Sequence, residues 1–283
     1  SYSEAIDWYD KAISVKPDEI VAKTNKAIVK LIQGEYAEAI NLFIKVLETD
    51  KNNLRVLKLL ADAYFNIRDL KNAFVTLEKA FKLAPDELSI IIKIAEVCKS
   101  LGNFKLAINF LENSIKANPD KAPLYIALSG IYREIEEFSL YIETSKKAFK
   151  LDPNSEVTIN NYGVALTEIG EYSKAISHYK KAAKSDPNSY EILTNLGITY
   201  SLTGKYSRAI PTIEKAIKIN KNYSKAHYGL AKAYSEIDCY DKSIESFQTA
   251  YKLDPLNIDA AKWMAYPFMY SYKFEDAWQQ YEY

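Results

Sequence analysis

Histidine and cysteine are the side chains best suited to metal binding or nucleophilic catalysis, and this chain has few of either. Its 283 residues contain 2 His and 2 Cys, which are His178, His227, Cys98 and Cys239. The histidines have neither paired cysteines nor a His-x-x-x-His spacing beside them, so neither a zinc site nor a general base is indicated. Carboxylates are numerous but scattered, which favours solvated surface positions. The sequence therefore predicts no catalytic residue and no metal site.

A glycine–lysine pair invites comparison with a phosphate-binding loop. Such a loop has four residues between its glycines and a Ser or Thr after its lysine. Here six residues separate Gly197 from Gly204, and Lys205 is followed by Tyr206. We therefore predict no cofactor site and interpret the chain as non-catalytic.

The elements that would position any site follow a strict 34-residue period. A small residue or one substitute recurs without insertion or deletion at Ala5, Ala39, Ala73, Ala107, Tyr141, Ala175, Ala209, Ser243 and Ala277. Twelve residues before these positions stand Ala27, Ala61, Ala95, Ser129, Gly163, Gly197, Ala231 and Ala265. A period between 20 and 50 residues is typical of a solenoid of stacked supersecondary units.

Each period has the pattern of two helices joined by a short turn. Twelve residues after the small position, a proline recurs at Pro17, Pro85, Pro119, Pro153, Pro187 and Pro255. Proline ends a helix because it lacks an N–H, and the Asp or Asn that usually follows it is expected to cap the next helix. The two small columns predict close approach of the paired helices, whose apolar faces are buried by stacking on neighbouring pairs.

The repeat has a recognisable consensus. Residues 170–187 read G-x-Y-x-x-A-I-x-x-Y-x-x-A with a trailing proline, and residues 34–39 and 204–209 repeat its beginning. This pattern resembles the tetratricopeptide repeat. The resemblance implies an all-α, right-handed superhelical solenoid of about eight helix-turn-helix repeats, incomplete at both ends. We expect one array over residues 1–283, with repeats at 1–18 (second helix only), 19–52, 53–86, 87–120, 121–154, 155–188, 189–222, 223–256 and 257–283 (incomplete).

Composition narrows the choice of partners. The chain has 37 basic and 37 acidic side chains, and this balance disfavours nucleic-acid binding, which needs a basic surface. No stretch approaches the 18 to 20 apolar residues of a membrane span, so membrane insertion is not expected. Two cysteines in separate repeats do not form a disulfide framework, and free thiols favour a reducing, cytoplasmic setting.

Binding is expected on the concave face, which the resemblance assigns to the first helix of each repeat. Residues on that face escape the packing columns and can contact a ligand, which we expect to be an extended peptide with acidic and apolar side chains. The candidate peptide-binding residues are Asn25, Arg55, Lys58, Asn160, Asn161, Thr194, Asn195, Lys225, Tyr228, Lys232, Lys262 and Tyr266.

Two branches of the family refine this expectation. The binders of chaperone tails use a two-carboxylate clamp, which Asn195 and Lys225 match but Val164 and Gly229 do not, so chaperone tails are not the expected ligand. The protein O-GlcNAc transferases carry a ladder of inner asparagines that Asn161 and Asn195 match. An amide both donates and accepts hydrogen bonds, which suits contact with a peptide main chain.

Three functions are compatible with the sequence. The leading interpretation is a non-catalytic scaffold for protein–protein interaction. A second is the substrate-recruiting arm of a larger transferase, because F-x-x-A-W-x-x-Y-E-Y at residues 274–283 is similar to the last repeat before bacterial glycosyltransferase-type domains. A downstream domain beyond Tyr283 would then supply catalysis. A third is a structural module that self-associates through uncapped ends.

Overall fold

The computed structural model describes residues 2–256 and 258–270. Over these residues the chain forms sixteen α-helices and no β-strand. The helices are α1 (Tyr2–Val15), α2 (Ile20–Ile32), α3 (Tyr36–Thr49), α4 (Leu54–Asn66), α5 (Leu70–Leu83), α6 (Leu88–Ser100), α7 (Phe104–Ala117), α8 (Ala122–Glu134), α9 (Phe138–Leu151), α10 (Glu156–Glu168), α11 (Tyr172–Ser185), α12 (Tyr190–Leu202), α13 (Tyr206–Ile219), α14 (Ser224–Ser235), α15 (Tyr240–Leu253) and α16 (Ile258–Tyr270). Even-numbered helices are the first helices of their repeats, and odd-numbered helices are the second.

The chain divides into two compact units, residues 1–144 and residues 145–283, with the boundary inside α9. Within each unit, helices joined by a turn pack against each other. First helices also contact first helices of adjacent repeats, as in α6 with α8 and in α10 with α12. This arrangement confirms the predicted stack of helix pairs. The candidate signature at residues 274–283 lies outside the described residues.

The small columns lie where paired helices meet. Residues of the second-helix column that are 0% exposed are Ala39, Ala73, Ala107, Ala175, Ala209 and Ser243. In the first-helix column, Ala27, Ala61 and Ala231 are also 0% exposed. Ser243 is satisfied locally because its hydroxyl donates to the carbonyl of Ala231 at 2.8 Å. The predicted packing role of both columns is confirmed.

The turn inside each pair needs one residue with left-handed backbone conformation. Glycine fills this position in four turns, with φ between 69° at Gly204 and 79° at Gly34. Arg68, Glu136 and Asp238 adopt the same conformation with φ of 62°, 60° and 58°. A side chain with a Cβ strains this conformation, so the repeat geometry is stable enough to impose it.

The position of the helix caps differs from expectation by one residue. The helix starts after the Asp/Asn column, so the capping residue is the next one, such as Asn53 or Ser189. Asn53 Oδ1 accepts from the amide of Val56 at 3.1 Å, and Ser189 Oγ accepts from the amide of Ile192 at 3.2 Å. The Asp/Asn column instead belongs to the turn before the helix, both after Pro187 and after Lys51, which stands in the proline column.

Candidate functional site

The first-helix face of the second unit carries nine of the candidate residues. Helices α10, α12, α14 and α16 present this face, and each contacts the next. The candidates on α10 and α12 are mainly polar amides, whereas those on α14 and α16 are lysines and aromatic residues. These two pairs of helices form different surfaces.

On the surface formed by α10 and α12, the candidate side chains are less exposed than the sequence analysis predicted. Thr194 is 0% exposed, and its hydroxyl donates to the carbonyl of Tyr190 at 2.7 Å. Asn195 is 5% exposed, and its Nδ2 donates to Oδ1 of Asn160. The placement of Thr194 on the exposed lining is therefore wrong, since α12 turns this residue into the core. Asn161 is half-buried and remains on the accessible surface.

The asparagine pair is part of a polar seam between α10 and α12. The hydroxyl of Thr199 donates to the carbonyl of Asn195 at 2.7 Å, and Thr199 lies 3.3 Å from the hydroxyl of Thr167. Buried polar groups need such partners because an unpaired one costs about 1–3 kcal/mol. Asn195 therefore stabilises the helix contact, and its side-chain Nδ2 already donates to Asn160 before any ligand arrives.

The surface formed by α14 and α16 combines a lysine with aromatic rings. Lys232 Nζ lies 4.7 Å from the ring centroid of Trp263 and 5.9 Å from that of Tyr228. The Tyr228 ring packs edge-on against Phe247 at 5.7 Å. Burial, followed by the charge of Asp259, raises the pKa of Tyr228, so its hydroxyl stays protonated at neutral pH.

Beside this group, large side chains stay open to solvent. Trp263 and Tyr266 are each 45% exposed, and Tyr270 is 53% exposed. The ring centroids of Tyr266 and Tyr270 lie 4.5 Å apart. Lys225 and Lys262 are exposed on the same two helices. Helices α14 and α16 thus carry the candidates Lys225, Tyr228, Lys232, Lys262 and Tyr266, with Trp263 and Tyr270 beside them. We call these seven residues the aromatic–lysine surface.

The first unit presents a face whose lysines are already paired. Lys58 forms an ion pair with Glu87 at the start of α6, and Ser89 donates to the same carboxylate at 2.8 Å. The hydrogen bond from Lys58, followed by that from Ser89, lowers the pKa of Glu87. Of the other two candidates in this unit, Asn25 is half-buried and Arg55 is exposed.

Ion pairs that the sequence analysis missed continue along this face. Lys93 lies 3.2 Å from Asp62 and 3.1 Å from Glu96, and Lys99 lies 2.8 Å from Glu134. Burial acts to lower the pKa of Lys93, but Glu96 and Asp62 more than offset it and raise that pKa. A charged ligand on this face has to compete with these internal pairs. Their partners lie 29 to 35 residues apart in the chain, apart from the local Lys93–Glu96 pair, so only the repeat period could have revealed them.

Of the histidines and cysteines, His178 and Cys98 take packed structural positions. His178 is enclosed by the rings of Phe149 at 4.5 Å and Tyr162 at 5.3 Å, and its Nε2 lies 3.2 Å from the carbonyl oxygen of Ile159. Burial lowers the pKa of His178. Cys98 is fully buried, and Cys239 is exposed.

The described part of the chain holds neither a cluster of metal ligands nor a helix that could span a membrane. No three His, Cys, Asp or Glu side chains among residues 2–256 and 258–270 come together as a metal site would require. Of the helices in these ranges, none has the length and apolar character needed to span a bilayer.

Family models match both units. Models described as TPR repeat and Tetratricopeptide repeat match residues 163–204 and residues 190–223 and 224–255, respectively. A model described as Anaphase-promoting complex, cyclosome, subunit 3, matches residues 32–114. The segments 190–223 and 224–255 coincide with the helix pairs α12–α13 and α14–α15.

Solved structures share the fold. A tetratricopeptide repeat protein from Parabacteroides merdae ATCC 43184 aligns with a TM-score of 0.72 at 13% identity, over 88% of this chain and 98% of its own. A chain of the APC/C hetero-tetramer Cut9-Hcn1 aligns with a TM-score of 0.62 at 15% identity, over 93% of this chain and 52% of its own. At such identities the likeness concerns the fold, and it confirms the predicted all-α solenoid of helix-turn-helix repeats.

Proposed function

We propose that the chain, which is a tetratricopeptide-repeat protein, is a non-catalytic scaffold that binds an extended peptide segment on the aromatic–lysine surface. Proteins with this fold typically act as scaffolds for protein–protein interaction. The observation that carries the proposal is the exposure of Trp263 and Tyr266, both 45%, beside Lys262. Contiguous exposed aromatic groups on a soluble surface mark interaction sites, and Trp and Tyr dominate the energetics of such sites.

The chemistry of this surface selects a ligand with apolar and acidic side chains. The rings of Trp263 and Tyr266 offer apolar area, and an exposed lysine offers a charge-assisted hydrogen bond to a carboxylate. Lys232 is held between two rings, so it adds positive potential without leaving its place. In the first unit, ion pairs of the lysines with Glu87, Asp62 and other carboxylates must break before these lysines can bind a ligand. This favours weaker peptide binding there than on the aromatic–lysine surface.

Affinity selection tests the proposal directly. A displayed library of short unstructured peptides is selected on the intact chain, and dissociation constants of the recovered peptides are measured by fluorescence anisotropy. The double variant Trp263→Ala/Tyr266→Ala is expected to raise the Kd at least tenfold, because each truncated aromatic contact at the centre of an interface costs about 1–2 kcal/mol or more.

The matched control removes an exposed cation from the first unit. Arg55→Ala is expected to change the Kd less than about twofold, since an exposed charge outside the interface centre contributes little. Recovered peptides that bind the double variant as tightly as the wild-type chain would refute the location. Recovered peptides enriched in basic residues would refute the ligand chemistry.

The two other functions predict different observations on the native protein. A substrate-recruiting arm requires a catalytic domain in the same polypeptide, which the intact mass of the native protein would reveal. A self-associating module requires multimers at working concentration, which light scattering would detect.

A further inference from the structure

A second cleft lies on the opposite set of helices, away from the aromatic–lysine surface. It is bounded by the second helices α11 and α13 and has a volume of about 410 Å³. Leu193, Leu196 and Tyr200 of α12 contribute to its lining, and each is more than nine-tenths buried. Ala183 and Pro211 extend the apolar lining on either side. A cleft of this size accommodates one or two side chains of a bound segment.

Three lysines form its rim, and no acidic residue lines it. Lys180 and Lys184 come from α11 and Lys215 comes from α13, and all three are exposed. Within residues 2–256 and 258–270, none of the three forms an ion pair, whereas Lys58, Lys93 and Lys99 do. Three like charges around an apolar cleft repel one another and are stabilised by an anion.

Comparison with other repeats indicates where the anion belongs. In two repeats a tyrosine of a first helix donates to a glutamate that lies 20 residues earlier, on the preceding second helix. These bonds join Tyr132 to Glu112 at 3.1 Å and Tyr234 to Glu214 at 2.9 Å.

The cleft has the tyrosine but not the glutamate. Tyr200 occupies the equivalent position on α12, and the residue 20 positions earlier is Lys180. No described residue accepts a hydrogen bond from the Tyr200 hydroxyl. The donors of Tyr200 and Lys180 thus face a place that a carboxylate of the protein occupies in the other two repeats.

We propose that the cleft between α11 and α13 is a second binding site, for a segment of a partner protein that carries a carboxylate next to an apolar side chain. The carboxylate accepts from the Tyr200 hydroxyl and Lys180 Nζ, where Glu112 and Glu214 lie in their repeats. The apolar side chain packs on Leu193 and Leu196. Lys184 and Lys215 interact with further acidic residues of the segment.

The test uses the full chain and a synthetic probe. The probe is a blocked, fluorescein-labelled peptide that alternates glutamate and leucine, and its neutral counterpart alternates glutamine and leucine. Binding is measured by fluorescence anisotropy at about 0.15 M salt, where non-specific surface attraction is screened. Saturable binding of the acidic probe and at least tenfold weaker binding of the neutral one are expected.

Substitution of Lys180 provides the decisive variant. Lys180→Glu installs the carboxylate found in the other repeats, so Tyr200 gains an internal acceptor and the fold is preserved, which an unchanged thermal unfolding curve verifies. The aromatic–lysine surface selects the same ligand chemistry, so the variant is compared in a chain that also carries Trp263→Ala/Tyr266→Ala. In that chain Lys180→Glu is expected to raise the Kd of the acidic probe more than tenfold. Tyr200→Phe, which removes one hydrogen bond to a charged group, is expected to raise it about tenfold.

Lys146→Glu is the matched control. Lys146 is exposed and holds the same repeat position on α9, but the equivalent first-helix residue is Leu166, which offers no hydroxyl. This variant is expected to change the Kd less than twofold. Trp263→Ala/Tyr266→Ala is expected to leave the Lys180-dependent binding intact, which separates this site from the aromatic–lysine surface.

Four results would overturn the proposal. Lys180→Glu could leave the Kd of the acidic probe unchanged, or Lys146→Glu could raise that Kd as much as Lys180→Glu does. The chain could also bind the neutral peptide as tightly as the acidic probe, or show no saturable binding of the acidic probe up to about 1 mM. Lysine-dependent binding to phosphatidylserine vesicles without binding of the acidic probe would also contradict it and would assign the cleft to a membrane surface.

Discussion

Alanine at Gly163 is expected to destabilise the second unit, although alanine is the better helix former. Gly163 lies in α10 opposite Tyr179 of α11, which is 0% exposed. A Cβ at Gly163 would lie 2.4 Å from Cε1 and Cζ of the Tyr179 ring and 2.8 Å from its hydroxyl oxygen. Ordinary contacts of a Cβ are 3.4–4 Å. The enclosed ring or the helix pair must therefore move by about 1 Å, since packed interiors contain few voids that could absorb the added methyl.

Two opposing terms set the magnitude. Overpacking of a dense core costs about 1–3 kcal/mol, and contacts this short place Gly163→Ala near the upper end. Exchange of a mid-helix glycine for alanine stabilises the helix by about 1 kcal/mol. The net loss in free energy of unfolding is then about 2 kcal/mol, or a decrease in Tm of about 4–8 °C.

A matched glycine isolates the packing term. Gly130 lies in α8, is exposed, and a Cβ there would meet no atom within 4 Å. Gly130→Ala keeps only the propensity term and is expected to stabilise the chain by about 1 kcal/mol. Circular dichroism during thermal and urea unfolding measures both variants. The same sign of change in Gly130→Ala and Gly163→Ala would refute the reasoning.

A double variant checks the identity of the colliding group. Ala61 and Leu77 occupy the two equivalent positions in an earlier repeat, and both are buried. Gly163→Ala/Tyr179→Leu reproduces that combination. Its loss of stability is expected to be at least about 1 kcal/mol smaller than the sum of the two single variants, because contacting residues are coupled. Additive losses would mean that the ring is not the obstacle.

Two further changes follow from the turn and from the enclosed histidine. Arg68→Gly is expected to raise the free energy of unfolding by about 0.5–1 kcal/mol, and with it the urea midpoint, because it relieves a left-handed residue with φ of 62°. Gly34→Arg is expected to lower the midpoint. A lower midpoint for Arg68→Gly would contradict this. Because burial lowers the pKa of His178 from its ordinary 6.5, the unfolded state binds a proton first as pH falls. The free energy of unfolding is therefore expected to decrease below about pH 6.5 by up to about 1.4 kcal/mol per pH unit, until the folded state is protonated. His178→Phe should remove this part of the pH dependence, and His227→Gln serves as the comparison. Equal slopes in wild type and His178→Phe would exclude His178 as the cause.

The sequence by itself determined the repeat, the helix pairs and their contact columns. These features depend on residues within one period or on the identical position of the next, so Ala39 and Ala73 report the same geometry. Gly34 marked the turn because its φ of 79° is one that glycine adopts without strain. The cap was displaced by one residue because the pattern does not specify the length of the turn before each first helix, which is the same after Pro187 and after Lys51.

Only the tertiary structure decided which polar residues face solvent. Thr194 and Tyr266 both come from first-helix positions expected on the lining, yet one is 0% and the other 45% exposed. Asn195 meets Asn160 35 residues away, and Lys58 meets Glu87 29 residues away. A small rotation of a helix about its axis, and the rotamer of a long side chain, determine whether such groups pair or remain open. The apolar columns record only the contacts between paired helices, and therefore the sequence pattern does not encode the surface chemistry.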